Sequence, residues 1–203
     1  MTVLPAAQFP PLPTNLRGSR SPGWWGMVLL ILTEAVLFSS LIASYFYVQA
    51  MSAVWPQGGI EPPALTLPIA MTVILLSSSA PMFLAESGIA AGRQWRLRLG
   101  LALCLVLGVI FLALQAVEYR SKEFGLWTNA YGSLFFGITG FHGLHVLVGL
   151  VMNVYMQVRA WRGHFTGERH LAIQTTALYW HFVDLVWIAI FLSLYLSPRM
   201  FGT

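Results

Sequence analysis

Apolar residues fall into five long stretches, separated by short segments rich in Pro, Gly and charged residues. Each stretch is about 20 residues or longer, and a helix of that length, rising 1.5 Å per residue, crosses a hydrocarbon core about 30 Å thick. The pattern predicts transmembrane helices over about Trp24 to Val48, Leu65 to Ala90, Leu99 to Glu118, Ser133 to Val158 and Thr175 to Leu196. A Trp55-Pro56-Gln57-Gly58-Gly59 turn joins the first two, and Pro81 predicts a kink in the second, because its ring removes a backbone donor and crowds the preceding turn. Residues 1–23 hold five prolines and no apolar stretch of the kind a secretory signal needs, which predicts a retained extramembrane tail. The expected fold class is all-α: an integral membrane bundle of five transmembrane helices forming one domain over residues 24–198, with a short tail at 199–203.

Composition agrees with the pattern and removes several functions. Of 203 residues, 57% are hydrophobic and only 9% charged, against roughly 25% charged in soluble domains. The single cysteine, Cys104, excludes a disulfide within the chain, Cys-x-x-Cys chemistry, thiolate clusters and a copper pair bridged by two cysteines. The net charge of +4 does not predict nucleic-acid binding, since the basic residues sit in short loops beside the spans. They report orientation instead, because Lys and Arg near span ends are retained on the cytoplasmic side. One set of segments carries Arg17, Arg20, Arg93, Arg96, Arg98, Arg159, Arg162 and Arg169; the alternate set carries Arg120, Lys122 and Arg199. The expectation is N-terminus cytoplasmic, C-terminus outside.

Ionisable residues inside a span are costly, and their depth is the most informative feature of the chain. Glu34 lies ten residues into the first span, about 15 Å deep at helical rise. The fourth span brings His142 and His145 to similar depth, three residues apart on one helix face, and the fifth does the same with His181 and Asp184. One central polar layer built from three helices follows. By spacing alone it suits a metal or haem site, a proton path or a network that orders the bundle. A di-iron bundle would use Glu-x-x-His pairs that are absent here, while a b-type haem needs only two facing histidines.

Each residue also has a structural explanation. His142 and His145 lie among Gly137, Gly140, Gly143 and Gly149, where small residues let membrane helices approach closely, so hydrogen-bonded histidines in a tight interface are the default. His181 with Asp184 is an intrahelical pair or half of a proton relay. Glu34 has no basic residue in its own span, which predicts a desolvated, neutral carboxyl serving either as a structural acid or as a proton-exchanging one. Glu86 and Glu118 stand at span ends, where snorkelling towards headgroup water is expected. Trp24, Trp25, Trp55, Trp127 and Trp161 suit an interfacial aromatic belt, whereas Trp180 and Trp187 lie within a span and should pack against helices.

Several of these residues stand in a familiar order. Trp180-His181-Phe182-Val183-Asp184-Leu185-Val186-Trp187 resembles the last helix of subunit III of haem-copper terminal oxidases, a family that includes cytochrome c oxidase. Tyr131-Gly132-Ser133 through Thr139-Gly140-Phe141-His142-Gly143-Leu144-His145-Val146 is similar to the preceding helix. Gln115 to Tyr119, Leu75-Leu76-Ser77-Ser78, and Thr33-Glu34 with Leu37-Phe38 match its other helices in the same order. The resemblance covers about residues 24 to 198. It implies a non-catalytic subunit, with haem and copper held by partner subunits, that packs on the catalytic subunit I beside subunit II and supports proton uptake during oxygen reduction. It also implies phospholipid in a cleft, with a bacterial inner membrane as the setting for this short form.

By that resemblance Glu34 corresponds to a buried acid reactive with carbodiimide, and Glu118, His142, His145, His181, Asp184, Trp180 and Trp187 form the polar lattice of the scaffold. The chain lacks two front helices of the seven-span forms, so one wall of the lipid cleft is absent or supplied elsewhere. By the same resemblance, many family members have histidines where Glu86 and Ser87 follow Ala85, and Asp-Gly where Asn129-Ala130 precede Tyr131. Five spans and a short chain resemble quinol-oxidase forms, while Gln115 to Tyr119 and Gly140 to Val146 look more like cytochrome c oxidase forms, which makes cytochrome c the expected donor. A quinol oxidase subunit, the accessory chain of a nitric oxide reductase, a small proton-coupled transporter and a membrane metalloenzyme remain as other readings; against the transporter, the chain shows no broken, repeated half-helices.

Overall fold

The five apolar stretches fold as helices in a computed structural model that describes residues 21–61 and 63–201. Most of the expected tail, with Arg17 and Arg20, lies outside the described residues. The helices are α1 (Pro22–Ala50), α2 (Thr66–Ser77), α3 (Ser79–Ala90), α4 (Gln94–Arg120), α5 (Ala130–Trp161), α6 (Leu171–Ile190) and a short α7 (Ser197–Phe201). Counting α2 with α3 and α6 onward as single crossings, five helical segments among the described residues are long and apolar enough to span a membrane, and the protein is a multi-pass membrane protein. No strand occurs among the described residues.

Local chemistry sets the boundaries. Ser21 caps α1 by accepting from the Trp24 amide, with Pro22 at the first helical position where no N–H is needed. Asn129 caps α5 through the Gly132 amide at 2.9 Å. Helices α4, α5 and α6 begin before the predicted spans, at Gln94, Ala130 and Leu171. Hydropathy marks the hydrocarbon boundary, whereas the backbone keeps its helical bonds into the interfacial zone. The second crossing breaks at Ser78, three residues ahead of Pro81, where the missing proline donor and the ring's clash fall. The last crossing widens into a π-helical stretch, Phe191–Leu196, ahead of Pro198; Ser197 Oγ donates to the Ser193 carbonyl at 2.5 Å there. Residues 199–201, expected as tail, continue the helix as part of α7.

Burial grades across the bundle. In the most apolar window of each crossing, 61% of the last is buried but only 6% of α1. Helix α6 is therefore the central post, touching α1, α2, α3 and α5, while α4 closes the bundle against α2, α3 and α5. Helix α1 leans on α6 and α5 as an outer wall. Two glycines let α4 and α5 close on α6: a Cβ at Gly108 would stand 2.8 Å from Trp180 Cη2, and one at Gly149 would stand 2.9 Å from Cε3 of the same indole. The Trp180 ring fills the space those two missing side chains leave.

Candidate functional site

The predicted polar layer divides into separate units. Glu34 of α1 meets His145 of α5, Oε2 to Nε2, at 3.0 Å. His145 Nδ1 lies 2.7 Å from the Phe141 carbonyl, which can only accept, so Nδ1 carries a proton. The Nε2–Oε2 bond then needs one more proton, held by imidazole or carboxyl. The pair is neutral overall in either case. The partner that the first span does not supply comes from another helix, 111 positions away. Both groups line a shallow groove of about 240 Å³ with Leu30, Leu144, Val148 and Tyr179, and Tyr179 donates to the His145 carbonyl at 3.2 Å.

His142 departs from expectation more sharply. It is fully buried, and neither ring nitrogen has a hydrogen-bond partner among the described residues. Its neighbours are rings: Trp187 at 5.2 Å, Phe111 at 5.8 Å and Phe38 at 6.4 Å between centroids. It packs as an aromatic side chain rather than as the hydrogen-bonded histidine that the spacing suggested. Phe38 also packs against His145, at 5.0 Å between centroids, so one ring neighbours both histidines.

His181 and Asp184 come together through a third residue. Their nearest atoms, Nδ1 and Oδ2, are 4.0 Å apart, and Ser79 of α3 bridges them, with Oγ 3.1 Å from His181 Nδ1 and hydrogen-bonded to Asp184 Oδ2. No hydrogen bond among the described residues joins this unit to Glu34 and His145. The two tryptophans of α6 anchor to hydroxyls of the second crossing: Trp180 Nε1 donates to Ser78 Oγ at 2.8 Å, and Trp187 Nε1 donates to Thr72 Oγ1 at 2.9 Å. Sequence reasoning missed Thr72 and Ser79 and quoted Ser78 only as part of a motif; the hydroxyl residues interrupting an apolar span were the available signal.

Two further expectations change. Glu118 does not snorkel. It is buried, pairs with Lys122 at 3.0 Å and accepts from Tyr195 Oη at 3.0 Å. Trp55, expected in the interfacial belt, turns inward: it is buried, packs on Tyr131 and donates to Tyr45 Oη at 3.0 Å. Trp127, by contrast, is 92% exposed. A second cluster, whose residues the sequence singled out only as motif, joins α4 to α5, where Gln115 Nε2 donates to the Thr139 carbonyl at 2.7 Å and Tyr119 Oη lies 2.7 Å from Thr139 Oγ1. At the arginine-rich end, Arg159, Arg162, His164 and Arg169 surround a cleft of about 630 Å³. Among the described residues, no group of three or more His, Cys, Asp or Glu is placed to hold a metal ion.

Helices long enough to cross a membrane, with polar side chains paired across them through hydroxyls, amides and carboxyls, define a polytopic α-helical membrane protein whose buried polar groups hold helices to one another. Comparison with known proteins narrows the class. The family model for cytochrome c oxidase subunit III matches residues 20–198. A relative from Coturnix japonica named cytochrome c oxidase subunit 3 is 36% identical over 189 residues, covering 90% of this chain and 71% of the relative. Relatives of the same name from Arabidopsis thaliana and Synechocystis are also 36% identical; the matches cover 84% of this chain with 67% of the former, and 85% with 74% of the latter. The chain belongs to the cytochrome c oxidase subunit III family.

Proposed function

We propose that this chain is the non-catalytic accessory subunit of a haem-copper terminal oxidase, packing on the catalytic subunit I beside subunit II while oxygen is reduced there. The observation that carries the reading is the family match across residues 20–198, which takes in all five membrane crossings. Haem and copper belong to the partner subunits, cytochrome c is the donor, and the setting is a bacterial inner membrane. The arginines at 93, 96, 98, 159, 162 and 169 gather at the end where α1 begins, which supports a cytoplasmic N-terminus.

Within that role the polar units have two tasks. Glu118, Trp180, Trp187, His142 and the Ser79–Asp184 contact hold the bundle in the shape that the catalytic subunit receives. Glu34, paired to His145 at the wall of a groove open along α1 and α5, is the acid with a proton role. The same groove takes a phospholipid chain, and the basic cleft formed by Arg159, Arg162 and Arg169 suits an anionic headgroup. Exchange of Glu34 for Gln tests the proton role: the complex is expected to assemble in normal amounts and to lose activity sooner over repeated turnover. Wild-type endurance over the same number of turnovers would refute it.

A further inference from the structure

One hydroxyl serves both hydrogen bonds between α3 and α6, and that fixes where each proton sits. An ionised carboxyl oxygen only accepts, so Ser79 donates to Asp184 Oδ2, and the Ser79 oxygen accepts from His181 Nδ1 at 3.1 Å. In the neutral ring this leaves Nε2 as a lone-pair acceptor. The His181 side chain is 40% exposed and lines a cleft of about 390 Å³ with Ser21, Glu86, Gln174 and Leu178. The cleft lies where α1 begins, α3 ends and α6 begins, the end that carries the arginine loops. It exceeds many times the roughly 30 Å³ that one water occupies in the liquid, and Glu86 puts a carboxyl in its wall. Asp184, at the inner end, is 4% exposed, and its Oδ1 has no hydrogen-bond partner among the described residues.

We propose that His181, Ser79 and Asp184 form a proton relay that connects this cleft to a buried carboxyl and exchanges protons with one side of the membrane only. A proton from water in the cleft adds to His181 Nε2. The Nδ1–H bond breaks as its proton passes to Ser79 Oγ, and the Ser79 O–H proton passes to Asp184 Oδ2. Each broken bond leaves its electron pair on the atom that gave up the proton. The unit gains one proton: the carboxylate becomes a carboxylic acid, the serine is restored, and the imidazole is neutral in its other tautomer. The titratable groups facing the relay are Glu86 of α3, beside His181, and Cys104 of α4, beside Asp184. No Lys or Arg lines the cleft among the described residues. The inference goes beyond the accessory role and does not depend on which partner the chain binds.

Infrared difference spectroscopy of the full chain in its isolated complex, recorded after pH jumps in H2O and in D2O, tests the relay. A carboxylic C=O band is expected that shifts in D2O and is absent from Asp184→Asn. Ser79→Ala retains the carboxyl but removes the bridge, so exchange at that band slows about 100-fold, within the range that a positioned acid–base group contributes to proton transfer. Ser79→Thr keeps a hydroxyl and the wild-type rate. His181→Gln slows exchange as Ser79→Ala does, and carries the comparison if Ser79→Ala fails to assemble. Absence of the band from wild type at every pH, its survival in Asp184→Asn, or wild-type exchange in Ser79→Ala or His181→Gln would overturn the proposal.

Discussion

Removing the Glu118 carboxylate strands two buried partners at once. Its side chain is 2% exposed, with Lys122 Nζ 3.0 Å from Oε1 and Tyr195 Oη donating to Oε2 at 3.0 Å. Lys122 is itself only 10% exposed, and its ammonium lies 5.4 Å from the centre of the Phe135 ring. The carboxylate thus ties the end of α4 to α5 and to the π-helical stretch of the last crossing. Breaking a buried ion pair by deleting one partner costs about 3–5 kcal/mol, because the remaining charge has no counter-ion. Glu118→Ala should fall in that range. Tyr195→Phe, which removes one hydrogen bond to a charged group, should cost about 1.5–3 kcal/mol. Replacing both ions with apolar residues of similar volume, Glu118→Leu with Lys122→Met, should recover most of the loss, since neither charge is then left buried. Unfolding by denaturing detergent in mixed micelles, followed by circular dichroism, gives all three values. A double variant as unstable as Glu118→Ala, or a Glu118→Ala variant within about 0.5 kcal/mol of wild type, would refute the reasoning.

Other consequences follow from the same contacts. Gly149→Ala sets a Cβ 2.9 Å from the Trp180 ring and should cost about 1–3 kcal/mol in the same assay, whereas Gly137→Ala, with nothing within 4 Å, should be near neutral. Trp187→Phe removes the donor to Thr72 at 2.9 Å, leaves that hydroxyl to the Pro68 carbonyl of its own helix and shrinks a fully buried ring; a loss of about 2–4 kcal/mol is expected, and Thr72→Val in the Trp187→Phe background should add little. Tyr45→Phe leaves the buried Trp55 indole N–H without its acceptor and should raise proteolysis in the loop between α1 and α2, measured by limited digestion of the complex.

Depth along a helix was legible in the sequence, and azimuth between helices was not. Hydropathy located five crossings, and the i to i+3 spacing rightly set His181 and Asp184 near one another. It could not show that Ser79, more than a hundred residues earlier, would stand between them. The partner of Glu34 could not be named, because His145 lies on a helix whose rotation no single span encodes. The same gap explains His142: its spacing matched His145, yet its ring turned into Phe111 and Trp187. For Glu118 the span-end position suggested headgroup water, whereas the resemblance put it in the polar lattice; the π-helical stretch brings Tyr195 over it. Trp55 follows the same logic, since belt composition says nothing about a loop folding back on Tyr45.

The central claim, that this chain is a cofactor-free subunit of an oxidase, is tested most directly by isolating the tagged chain in mild detergent and recording the reduced-minus-oxidised visible spectrum. Haem bands should accompany the intact complex and vanish from this chain when it is stripped from its partners. Haem that stays on the isolated chain, or a native preparation without haem, would contradict the account.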